Sequence, residues 1–225
     1  MKHIVVINPN TSETTTAMMT DLVRQSLPAG MSAEGATAAV GVPMILNSTE
    51  LAKSADGVVQ MGLAAAAKAD GIIVSAFGDP GLEQLRALIG IPVVGICEAS
   101  LLEAASGGRR FGIATVTPDL VESFAAKAMG LGLGHLFTGT RLTSGDPMLL
   151  ANDPDRLQAS LAIAVKECLE LDGAQAVIIG GGPLGRAAAD LQQQLSSPVI
   201  APIESALTLL LRQIDHRTAT ASSMS

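Results

Sequence analysis

Gly71-Ile72-Ile73-Val74-Ser75-Ala76-Phe77-Gly78-Asp79-Pro80-Gly81 begins as a short apolar run and breaks abruptly into small and turn-forming residues. A β-branched run without polar alternation is the pattern of a parallel strand buried on both faces. The pattern returns at Val177-Ile178-Ile179-Gly180-Gly181-Gly182-Pro183. Two more pairs answer each other in the same order: Ile4–Asn10 with Phe111–Thr117, and Pro92–Ala99 with Pro198–Ser205. All three pairs lie 105 to 107 residues apart, so the chain reads as a duplication.

Strands are expected at Ile4–Ile7, Gly71–Val74, Ile91–Ile96, Phe111–Val116, Ala176–Ile179 and Pro198–Ile203. Ala- and Leu-rich segments of helical spacing separate them. Asp153 caps a helix opened by Pro154, whose stripe is Leu157, Leu161, Ala164, Cys168 and Leu171, with Gly173 at the left-handed stop. Thr117-Pro118-Asp119 opens another helix, and Glu13–Arg24 is expected to be helical. The fold class is therefore α/β: two duplicated Rossmann-like parallel-sheet halves with the ligand cleft between them. The first half spans 1–96, joined by the C-terminal segment 203–225, and the second spans 97–202. From about Asp215 onward the residues are small and polar and are expected to fray.

The chain has 225 residues, 14 Lys+Arg, 21 Asp+Glu and a net charge of −7. It has no basic stripe to neutralise phosphates, and without Trp or Tyr it has little to stack on bases, so nucleic acid is not an expected partner. No run of about 18 apolar residues is free of charge, because Lys68 and Asp70 interrupt the most apolar region; no membrane partner is expected. Two cysteines make no disulfide framework, and Ile4–Ile7 is too short for a secretory leader, so a cytoplasmic location is expected. The expected partners are a small-molecule substrate and, from the exposed Leu/Ala-rich helices, further copies of the chain. His3, His135 and His216 are scattered, and no cluster has metal-ligand spacing, so no metal site is expected.

In open α/β sheets ligands bind beyond the carboxyl ends of the strands. The expected substrate-binding residues are Asn8, Asn10, Thr11, Ser75, Ala76, Phe77, Gly78, Thr115, Val116, Thr117, Gly181, Gly182, Pro183, Leu184 and Glu204. Asn8–Ser12 precedes a helix and suits a small carboxylate or imide, while Thr11 or Ser12 equally suits a helix cap. Asp79 reads either as a general base or orienting carboxylate, or as a cap before Pro80. Cys97 and Glu98, at an expected strand end, complete the candidate catalytic set with Asp79, although Cys97 also fits as a small buried apolar residue. Gly180–Gly185 has G-x-G-x-x-G spacing with Glu204 near the place of a ribose-binding acid, which makes a dinucleotide a competing ligand. Pro183 weighs against it by removing an N–H from the turn; a small anion facing backbone N–H groups is the alternative.

Ile7-Asn8-Pro9-Asn10-Thr11-Ser12, Ala76-Phe77-Gly78-Asp79-Pro80-Gly81-Leu82, Val94-Gly95-Ile96-Cys97-Glu98-Ala99 and Thr115-Val116-Thr117 resemble the hydantoin racemase branch of the aspartate/glutamate racemase superfamily. The resemblance spans nearly the whole chain. It implies two similar halves, no organic cofactor, and substrates among hydantoins, allantoin and related small cyclic amides or amino acids. It also implies two cysteines, one from each half, that remove and deliver a proton on opposite sides of a chiral carbon. The matching positions here are Ala76 and Gly181, and neither side chain carries a proton.

Ordinary two-cysteine racemisation is therefore not expected. The leading expectation is a divergent, cofactor-independent enzyme on a small cyclic amide, amino acid or carboxylate. It could be a one-sided hydrolase, decarboxylase or lyase, with Gly181 and Gly182 N–H groups stabilising an oxyanion or enolate. The competing expectations are isomerisation through substitutes such as Cys97, and a non-catalytic small-ligand binding protein.

Overall fold

The computed structural model describes residues 2–223. In chain order the elements are β1 (Lys2–Asn8), α1 (Glu13–Ser26), β2 (Met31–Thr37), α2 (Ser48–Lys53), α3 (Ala55–Ala65), β3 (Gly71–Val74), α4 (Leu82–Leu88) and β4 (Val93–Gly95). There follow α5 (Ile96–Ala104), β5 (Phe111–Thr115), α6 (Val121–Gly130), β6 (Phe137–Leu142), α7 (Pro147–Leu150), α8 (Pro154–Glu170), β7 (Ala176–Ile179), α9 (Gly185–Gln192), β8 (Val199–Ile200) and α10 (Pro202–Ser223). The chain divides into two compact units. One holds the residues up to Ile45, Thr49–Ile96 and those from Ile203 onward; the other holds Leu46–Ser48 and Cys97–Pro202.

Each unit carries a four-stranded, wholly parallel sheet, in the order β2-β1-β3-β4 in the first and β6-β5-β7-β8 in the second. The two orders are the same when the strands are counted from each unit's start. The three repeated sequence pairs fall on β1 and β5, β3 and β7, and β4 and β8.

In the first unit, Val5 and Ile7 of β1 and Ile72 and Val74 of β3 share one core with Val58 and Ala65 of α3 and with Leu82 and Leu85 of α4. Their neighbours Ile4, Val6 and Ile73 are also fully buried, on the opposite face. Strands covered on both faces have no reason to alternate apolar with polar, which is why these runs are legible. Leu210 and Ile214 of α10 stand about 3 Å from where a Cβ on Gly71 would sit, so α10 lies against β3.

The expected fraying beyond Asp215 is corrected, because helix continues to Ser223. Leu207, Leu210 and Ile214 make a buried stripe along it. Asp215 meets Lys2 Nζ at 3.0 Å, and Arg217 donates to the Gly90 carbonyl.

In the second unit, Asp153 caps α8 by accepting from the Arg156 N–H, and Gly173 takes the left-handed φ of 67°. Leu161, Ala164 and Cys168 are buried as the stripe requires, but Leu171 is exposed because the helix ends at Glu170. Burial pushes the Cys168 thiol up to about 12, so it packs as a neutral apolar side chain.

The edge strand β6 is pinned by a bidentate pair: Arg141 Nε and Nη2 donate to the two Asp172 carboxylate oxygens at 2.8 and 2.7 Å. The guanidinium hydrogen bonds hold the Asp172 carboxyl below its usual range. A lowered folded pKa stabilises the fold above the unfolded value of about 3.9, and that stability is lost as pH falls through the folded value. Asp172→Asn is thus expected to lower Tm at pH 7, with the gap to wild type closing in a melting series taken below pH 4. A gap that persisted there would mean the carboxylate charge is not what holds this edge.

Three expected strands overrun the observed ends, β5 by one residue, since it stops at Thr115. β4 stops at Gly95 and β8 at Ile200, and helices follow almost at once. Cys97 and Glu98 therefore lie in the first turn of α5, and Glu204 in the first turn of α10, rather than on strand ends.

Candidate functional site

The first unit ends its strands in two polar loops. In the β1–α1 loop, Asn8 is 1% exposed and works as a hub. Its Nδ2 lies 2.8 Å from Asn10 Oδ1, 3.1 Å from the Ser12 carbonyl and 2.9 Å from Thr16 Oγ1. Its Oδ1 accepts from the Asn10 N–H, and Asn10 Oδ1 accepts in turn from the Ser12 N–H. Ser12 caps α1 by accepting from the Thr15 N–H. The Asn8 amide and the Asn10 side-chain oxygen thus hold the loop in shape. Thr11, half-buried, is tied by its N–H to the Val42 carbonyl, and its hydroxyl is not part of that network.

In the β3–α4 loop, Ser75 is locked to β1, its N–H and Oγ both donating to the Ile7 carbonyl at 2.8 and 2.7 Å. Ala76 is half-buried, Phe77 is buried, and Gly78 takes a φ of 131° with Leu51 against it. Asp79 has a φ of 53°, the positive-φ non-glycine among the described residues, and is 6% exposed. Left-handed backbone at a non-glycine costs of order 1 kcal/mol or more and persists where surrounding structure imposes it. The cap reading of Asp79 is corrected, since the cap of α4 is Gly81, with φ 70° and no side-chain bond. Instead the Asp79 carboxyl is seated on Gly95, the last residue of β4, where a Cβ would collide with Cγ and both oxygens.

The second unit ends its strands in threonines and glycines. Thr115, fully buried at the end of β5, donates its hydroxyl to the Gly180 carbonyl at 2.7 Å. Gly180 has to lack a side chain for this, because a Cβ would sit 2.9 Å from Ile113 Cγ2 and 3.2 Å from Thr115 Cβ. Thr117, 6% exposed, brings its hydroxyl within 3.2 Å of Thr115 Oγ1, with the buried Val116 between them. The Gly181 N–H donates to the Ile179 carbonyl at 2.9 Å.

Gly181 has extended backbone, and a Cβ there would stand 2.9 and 3.1 Å from Cδ1 and Cγ of Leu184, which is folded over it. Gly182 and Pro183 open a single 3-10 turn before α9. Cys97 is fully buried, and Glu98 faces Lys127 of α6 at 3.8 Å. Glu204 is half-buried in α10. No group of three or more His, Cys, Asp or Glu that could hold a metal ion occurs among the described residues. None of the described helices is long and apolar enough to cross a membrane.

Residues 4–210 match the family described as Asp/Glu/Hydantoin racemase. The chain belongs to that family. Similarity to known members runs the length of the chain. A hydantoin racemase from Paenarthrobacter aurescens is 26% identical over 225 residues, covering 98% of this chain and 95% of that protein. Allantoin racemase from Klebsiella pneumoniae superposes with a TM-score of 0.90 at 27% identity, covering 96% of this chain and 88% of that one. Arylmalonate decarboxylase shares the fold, with a TM-score of 0.64 at 18% identity over 94% of this chain and 92% of that one.

Gly95, Thr143 and Lys127 are residues beside these loops to which the sequence assigned no role. A glycine ending an apolar run was the available signal for Gly95. Thr143 donates its N–H to the Thr115 carbonyl, a consequence of β6, an edge strand too polar to be read. The pairing of Lys127 with Glu98 has no sequence signature.

Proposed function

We propose that this member of the Asp/Glu/hydantoin racemase family is a cytoplasmic, cofactor-independent enzyme that activates a carbon acid in a small cyclic amide or ureide. Proton transfer occurs on one face of the substrate. The observation that carries the proposal is the chemistry of residues 76 and 181. Alanine and glycine stand where the resemblance puts the two thiols, and Leu184 packs over position 181. A racemase needs two groups that alternate as acid and base, and these two residues offer none. Hydantoin racemases and an allantoin racemase among the relatives support the substrate class. The buried carboxylate of Asp79, held in a strained backbone against Gly95, supports its assignment as the single acid/base group. Glu98, facing Lys127, and the buried Cys97 serve to fix the start of α5.

The test is proton NMR in D2O with allantoin, 5-substituted hydantoins and amino acids, followed by chiral separation. Deuterium entering the α-position of one enantiomer without its mirror image forming is the expected result. A racemic mixture appearing as fast as deuterium enters would restore two-sided chemistry and overturn the proposal. Consumption to a new product would move the reading to a hydrolase or decarboxylase. Unchanged spectra beside an active family racemase would mean that the chain binds without turnover.

A further inference from the structure

The direction of the hydrogen bonds at the end of β5 says what Thr117 can recognise. A threonine hydroxyl has one hydrogen and two lone pairs. The Thr115 hydrogen is committed to the Gly180 carbonyl at 2.7 Å. In the 3.2 Å contact between the two hydroxyls, Thr117 must therefore be the donor and Thr115 the acceptor. The same Thr115 oxygen faces the Thr117 N–H at 3.5 Å. Thr117 also stands at the cap position of a 3-10 turn, Pro118–Leu120, where a threonine normally spends its hydroxyl on a free backbone N–H. It makes no such bond. Its hydrogen thus runs down the relay from Thr117 through Thr115 to Gly180, and its lone pairs are left over on a residue that is 6% exposed.

We infer that Thr117 is a specificity-determining residue that accepts a hydrogen bond from a ring N–H of the substrate. It selects cyclic amides and ureides over carboxylates. An oxygen that offers only lone pairs attracts an amide N–H and repels a carboxylate, and a buried site built for one partner discriminates strongly against an analogue that lacks it. A second hydroxyl at the same sheet end is of the opposite kind. Thr143, tied by its N–H to the Thr115 carbonyl, has a buried Oγ1 with no hydrogen-bond partner, and so keeps a donor for a ring carbonyl. This inference rests on the proposed substrate class and names the atom that reads it.

The test measures binding by NMR titration, using hydantoin, 1-methylhydantoin, 3-methylhydantoin and succinate as probes. Hydantoin is expected to bind the wild type more tightly than succinate does. Methylation of one ring nitrogen is expected to weaken it about tenfold or more. Thr117→Val should weaken hydantoin by a similar factor and abolish the methylation penalty, and Thr117→Ser should restore both. Thr115→Val returns a hydrogen to Thr117 and should raise succinate affinity. Hydantoin binding left unchanged by Thr117→Val, or a methylation penalty that survives it, overturns the inference while leaving the proposed reaction standing. Should Thr117→Val fail to fold, wild-type binding that neither methylation weakens overturns it equally. Preferred binding of succinate would show Thr117 donating and would also overturn it. Binding of no probe would remove both the inference and the substrate class beneath it.

Discussion

Asp79→Asn is expected to lower turnover at least about a hundredfold, the lower end of what a positioned general acid or base contributes. It is expected to shift Tm by no more than about 4 °C, roughly what 1 kcal/mol produces in a chain of this size. The asymmetry follows from geometry. Asparagine keeps the planar shape that fills the space over Gly95, and it keeps the left-handed backbone that Asx residues tolerate better than most. What it loses is the ability to take and return a proton. Gly95→Ala is the complementary change, because its methyl would occupy the place of the Asp79 carboxyl and push the group off β4 without altering its chemistry. Turnover should fall in both variants, measured by the same deuterium exchange assay. If Asp79→Asn instead melted far below wild type while keeping its activity per folded molecule, the carboxylate would be a structural brace and the acid/base would lie elsewhere.

The parts of this fold that could be read from sequence are those where one physical demand dominates. β1, β3, β5 and β7 are central strands covered by helices on both faces, so their composition has one task and the runs Ile4–Ile7, Gly71–Val74 and Ala176–Ile179 state it plainly. β2 and β6 lack that signal because each is an edge strand whose residues are mostly only half-buried, unlike the buried edge strands β4 and β8. Met31–Thr37 and Phe137–Leu142 carry Gly, Thr, Glu and Arg at positions that water or salt links can satisfy. The first turn of α5 is hidden in the sequence for a different reason. Ile96, Cys97, Ala99 and Leu101 are all buried, so the helix has no polar face at its start, and it follows β4 without an intervening loop. Periodicity cannot mark the point at which an apolar strand becomes an apolar helix.

The candidate site was legible as a set of loops and not as a set of roles. Asn8, Asn10 and Ser75 look alike in sequence, yet Asn8 and the Asn10 oxygen bind the loop before α1 while the Ser75 hydroxyl is locked onto the β1 backbone. Which partner a short polar side chain chooses depends on atoms brought near it by the whole sheet. The distinction between Thr115, which ties β5 to β7, and Thr117, which keeps lone pairs to spare, depends on the pairing of two strands some 60 residues apart.

Introducing cysteine at both position 76 and position 181 is expected to create racemisation where the wild type has none. Ala76→Cys is the simpler half, because residue 76 is half-buried and its backbone φ is not positive. Gly181→Cys is also compatible with its backbone, since a φ of 166° is ordinary extended chain. The obstacle is the Leu184 side chain, 2.9 Å from the new Cβ, and it must give by a few tenths of an ångström. A leucine terminus turns over more readily than backbone shifts, so the double variant should fold, with Leu184→Ala available to open the place further. Each single variant supplies one thiol and should alter only one-sided exchange. The double variant supplies two groups able to alternate as acid and base, and should interconvert the enantiomers of a 5-substituted hydantoin at least about a hundredfold faster than wild type. The measurement is loss of optical rotation beside deuterium uptake, on protein whose two new thiols have been counted with a disulfide reagent. A folded double variant with both thiols reactive, still unable to racemise any substrate that a family racemase accepts, would mean that 76 and 181 are not the proton-transfer positions. The reaction of the wild type would then have to be sought in other residues at the ends of these two sheets.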